Sequence, residues 1–163
     1  MISCTEFIPA YSELFKFLEK KGGYDEVMKY WLYISDTYVE KLLGKLVDEK
    51  GIMGCWEYWS CALNEEAADF TMTLDMDKEE MISQIHYCPS KGLLLKLEHM
   101  EPYHAYCEHC NVIYKPVLKK RGIGHERDSS YCDEAKCSGR KYVLPRQVGT
   151  VLDLRKKGMV KFP

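Results

Sequence analysis

The 163-residue sequence lacks any excess of basic charge. Lys and Arg number 23 against 25 Asp and Glu, a formal net charge of −2. With no DNA- or RNA-binding signature either, no nucleic-acid partner is expected. No run approaches the roughly 18 apolar residues that a membrane span requires, so no membrane partner is expected. Met1 to Ala10 lacks the basic and apolar regions of a secretory leader. The expectation is a cytoplasmic, reduced chain, with a homo-oligomer left open. Repeats and linkers are also missing, so 1–163 is taken as a single domain. Its helical part covers 1–50, strands and a helix with the Cys/His motifs cover 51–145, and a basic tail (Arg155, Lys156, Lys157, Lys161) covers 146–163.

Cysteine, by contrast, is abundant. There are eight, beside twelve tyrosines and three tryptophans. Five of the cysteines and all five histidines lie between His86 and Cys137. In a reduced compartment, clustered cysteines are metal ligands or reactive thiols before they are disulfides, and an oxidised framework is the other reading. The aromatic supply suits a small-molecule cavity and a plain core equally.

Apolar spacing predicts the fold. Phe7, Ile8, Tyr11, Leu14, Phe15 and Leu18 recur at helical steps, and Gly22-Gly23 ends the run. Val27, Met28, Trp31, Ile34, Tyr38, Leu42, Leu46 and Val47 mark a longer helix from Tyr24 to about Glu49. Ile52 to Leu63 is crowded with aromatic residues and cysteine and shows no clean helical period, so a strand is expected around Trp56 and Trp59. Phe70, Met72, Leu74 and Met76 alternate as in a half-buried strand, and Met81 to Tyr87 pairs with it across a turn at Asp77-Lys78. A short helix follows Pro89, a longer one runs from Tyr103 to Arg121, and late strands are expected at 125–131 and 140–144. The resulting class is α+β, with N-terminal helices and a central helix packed on an antiparallel sheet.

Two chemistries fit the cysteines. Cys107 and Cys110 bracket Glu108-His109 at a spacing that lets two thiolates reach one metal. Cys132 and Cys137 form a second pair, so Cys107, Cys110, Cys132 and Cys137 make a candidate zinc site, with Cys88, His104 and His109 as rival ligands. Alternatively, a helix starting near Pro102 to Cys107 would lower a nearby thiol's pKa. Cys88 or Cys107 would then be a nucleophile served by His86, His104 or His109, with Asp128 orienting a histidine or capping its turn. The other reading of Cys110 is a packed interior thiol, since free cysteine is among the most buried residue types.

The order Tyr87-Cys88-Pro89, Tyr106-Cys107-Glu108-His109-Cys110 with Tyr114, Pro116 and Gly122, then Asp128 and Cys132, resembles the L-2-amino-thiazoline-4-carboxylic acid hydrolase-like family. The resemblance covers roughly residues 52–145 and, weakly, the helical N-terminus. It implies a small bacterial or archaeal α+β protein whose namesake opens a cyclic amidine ring by hydrolysis. It also implies an architecture similar to sensor domains of the vinyl-reductase type, where a cysteine-rich zinc site sits beside an apolar cavity. Cys88, Cys107, Cys110 and Cys132 match the motif, with Asp128 beside them, whereas His109 and Cys137 have no place in it. The family's glycine-aspartate-cysteine-aspartate-phenylalanine type ending is replaced by Ser130-Tyr131-Cys132-Asp133-Glu134. The expectation is a hydrolase of a small cyclic amidine or amide; the alternative is a non-catalytic small-molecule-binding domain with a structural zinc.

Overall fold

A computed structural model describes residues 4–145, with side chains from Glu6 onward. The basic tail expected over 146–163 lies outside the described residues. Helix α1 spans Cys4–Gly22, and Gly23, at φ 75°, makes the left-handed turn into α2, Tyr24–Ile34. The same rod continues as a π-helical stretch, Ser35–Gly44, and then as α3, Lys45–Lys50. Trp31, Ser35, Val39, Leu43 and Val47 are all buried, one every four residues. In an ordinary α-helix that series would rotate by about 40° at each step. The wider π turns keep it facing the core.

Helix α4 is Ile52–Glu65, where the sequence pointed to a strand. Its buried residues Ile52, Cys55 and Trp59 have helical spacing, which the exposed and half-buried aromatics between them obscure. Gly54 is why α4 can lie so close to α3: a Cβ there would stand 2.3 Å from the Leu46 carbonyl oxygen.

Four antiparallel strands follow the helical half: β1 Asp69–Asp75, β2 Glu80–Tyr87, β3 Ile123–Asp128 and β4 Cys137–Val143, in the order β1-β2-β4-β3. Between β2 and β3 come α5, Pro89–Lys96, a 3-10 turn at Tyr106–Glu108, and α6, His109–Lys119. The fold is α+β in one domain, as expected. One sheet face carries Thr71, Ile82, Gln84, His86, Glu126 and Arg140 to solvent; the other meets the helices.

Strand register decides what the inner face presents. Ser83 pairs with Gly139, Met81 and His125 pair with Lys141, and Arg127 pairs with Gly139. Inward positions therefore include Ser83, His125, Arg127, Cys137 and Lys141. They form a polar stripe where a buried sheet face is ordinarily apolar.

Candidate active site

The stripe floors a cavity of about 160 Å³ between the sheet and helices α4, α5 and α6. That volume matches the ~150 Å³ of a cavity that admits a benzene-sized molecule. Trp59, Leu63 and Tyr114 give it apolar walls, and Glu66 stands at its rim.

The helix wall supplies a thiol and an imidazole. The 3-10 turn at Tyr106–Glu108 delays α6, so its positive end falls on His109 and Cys110 rather than on Cys107. His109 Nδ1 donates to the Tyr106 carbonyl oxygen, which turns Nε2 toward Cys110 Sγ, 3.4 Å away. Phe15, Tyr11 and Tyr106 pack around the ring and hold it there. Burial pushes the Cys110 thiol up, but the Arg127 guanidinium and then His109 outweigh it and bring the thiol down to about 6. Burial works against a proton on His109, yet Cys110 and the Tyr106 carbonyl raise its pKa above the ordinary value. Both shifts run toward a thiolate–imidazolium pair.

Arg127 reaches the thiols from the sheet, donating from one terminal nitrogen to Cys137 Sγ at 3.2 Å. Its charge is strengthened chiefly by Cys110. Those other thiols stay protonated. Burial pushes Cys88 up to about 11, Cys107 up to about 12, and Cys137 above its usual value.

The sheet adds groups without protein partners. Among the described residues, neither ring nitrogen of His125 nor Nε of Arg127 has a hydrogen-bond partner. Burial, then the charges of Lys141 and Arg127, lower His125 to about 3, so the imidazole is neutral. Trp59 stacks on it, with ring centroids 6.2 Å apart. A buried polar atom left unpaired costs about 1–3 kcal/mol.

Of the residues singled out in the sequence, Cys88, Cys107, Cys110 and Cys137 line this one cavity. His104 does not; it is exposed, with Nε2 3.1 Å from Glu19 Oε2 on α1. Asp128 Oδ1 accepts the Ser130 backbone N–H at 2.9 Å and its hydroxyl at 2.6 Å, which is the capping alternative. Cys132 lies in a 3-10 turn, Cys132–Glu134, outside the cavity lining, with Sγ 3.9 Å from Asp133 Oδ1. The low-pKa thiol is thus Cys110, neither Cys88 nor Cys107. His125, Arg127 and Lys141 were missed by the sequence reading. Their signal was parity: each shares an inward strand position with Ile123 or Val143.

Among the described residues, no group of three or more His, Cys, Asp or Glu side chains is disposed to hold a metal ion. The cavity thiols surround a guanidinium, which repels a cation. The donor set does not fit zinc. Among the described residues, no helix is long and apolar enough to cross a membrane. The chain was compared with protein-family models, curated proteins and solved structures, and nothing matches it.

Proposed function

We propose that the chain is a cysteine-dependent hydrolase that opens a small cyclic amidine or amide, as the resemblance to the L-2-amino-thiazoline-4-carboxylic acid hydrolase-like family implies. The observation that carries this reading is Cys110 Sγ 3.4 Å from His109 Nε2 in a ring-sized cavity. The thiolate adds to the ring's electrophilic carbon, and the C=N or C=O electron pair moves onto the heteroatom. His109 gives its Nε2 proton to the ring nitrogen, the C–N bond breaks, and a thioimidate or thioester remains on Cys110. His109, now neutral, takes a proton from water as it attacks, and the thiolate leaves. Arg127 brings positive charge to the site, which suits an anionic substituent or a developing oxyanion.

The test is turnover of a panel of thiazolines, imidazolines and lactams by the purified chain, beside Cys110→Ser and His109→Gln. Hydrolysis of at least one member is expected, with a loss of ~10²–10⁴ in rate on removing the imidazole. No turnover by a folded protein that still binds a panel member overturns the hydrolase reading. That result would leave a non-catalytic small-molecule-binding domain.

A further inference from the structure

The hydrolytic route uses the helix wall and leaves one nucleophile on the sheet unassigned. Lys141 is 2% exposed, and among the described residues no carboxylate forms an ion pair with it. Such isolation is rare for a lysine, which is almost never fully buried unless paired. Its side chain turns back along β4 over Gly139, where a Cβ would stand 3.0 Å from Nζ and 3.2 Å from Ser83 Oγ. A side chain at 139 would crowd the amine, and glycine leaves that approach free. Nζ lies 4.1 Å from the Trp59 ring centroid and donates to Ser83 Oγ at 3.3 Å. These three residues and Lys141 itself all line the cavity.

The indole face replaces only part of the hydration that the ammonium loses. Burial therefore lowers Lys141 to about 8, with Cys55 opposing and Arg127 assisting. At neutral pH this amine is free base far more often than a surface lysine is.

We propose that Lys141 is a second nucleophile of the cavity and captures small aldehydes or ketones as an imine. The Nζ lone pair forms a C–N bond to the carbonyl carbon, and an Nζ proton passes to the carbonyl oxygen, with the Ser83 hydroxyl placed to relay it. The carbinolamine hydroxyl then takes a second proton from solvent through the Ser83 hydroxyl and leaves as water, and an iminium remains over the Trp59 face, where the ammonium stood. Cys110 takes no part, so this chemistry stands or falls apart from the hydrolase reading.

The experiment incubates the whole chain with propanal or pyruvate and sodium cyanoborohydride, which reduces an iminium to a stable secondary amine. Intact mass and peptide mapping then locate the label. The expected result is a single dominant adduct at Lys141, formed before the exposed Lys29 and Lys78 react. It is lost in Lys141→Met, slowed several-fold in Gly139→Ala, and retained in Cys110→Ser while hydrolysis falls. Labelling of Lys29 and Lys78 with Lys141 unmodified, in wild-type protein of native circular dichroism, overturns the proposal without any variant having to fold.

Discussion

Replacing His125 by Gln should flatten the acid limb of the stability curve. The folded chain holds His125 at about 3 against an ordinary 6.5. Below 6.5 the unfolded chain binds a proton that the folded chain refuses, so stability falls as pH falls through that window. One such proton is worth about 1.4 kcal/mol per pH unit. Between pH 6 and 5 the other site groups contribute little. Cys110 is depressed from 9.0 to about 6, so its stabilisation is full above 9 and the last of it goes as pH falls through 6, equally in both proteins. His109 is raised, so its stabilisation is complete below 6.5 and disappears only as pH rises through its folded value. Glu66 is raised by burial and acts in the opposite sense, but equally in both proteins. Urea unfolding of wild type and His125→Gln at pH 6 and 5 isolates the histidine. The wild type should lose about 1.2 kcal/mol more than the variant over that unit. Parallel losses would refute a neutral, unpartnered His125.

Removing the guanidinium in Arg127→Met should move the pH midpoint for alkylation of Cys110 upward by about 2 pH units, read from iodoacetamide rates between pH 5 and 9. An unchanged midpoint would show that His109 alone sustains the thiolate. Gly54→Ala should cost about 2 kcal/mol in urea unfolding, since its new methyl meets the Leu46 carbonyl of the packed helix and neither backbone can yield. A loss under 0.5 kcal/mol, the range of an ordinary surface change, would contradict the close approach of α3 and α4.

The helices and the β1–β2 hairpin were legible because their apolar periods are local: Phe15 and Trp31 mark helix faces, and Phe70 to Leu74 alternate cleanly. Helix α4 was not, because Trp56, Tyr58 and Cys61 are apolar in composition yet lie off the buried face that Ile52, Cys55 and Trp59 form. The concentration of chemistry between His86 and Cys137 was visible, and four of its five cysteines do converge on the cavity. The choice of Cys110 over Cys107 was not, because one 3-10 turn decides which residue meets the helix's positive end. Arg127 and Lys141 look like ordinary surface charges along the chain. Only the β3–β4 register, which aligns them with Ile123 and Val143, turns them inward.

The central claim is that Cys110 is the ionised thiol of the cavity, and limiting iodoacetamide at pH 6.5 with peptide mapping tests it most directly. Cys61 is exposed, but Glu65 raises its pKa and keeps it protonated there. Carboxamidomethylation of Cys110 ahead of Cys61, Cys88, Cys107 and Cys137 is the predicted order. Label on Cys61 first, with Cys110 untouched, would contradict it.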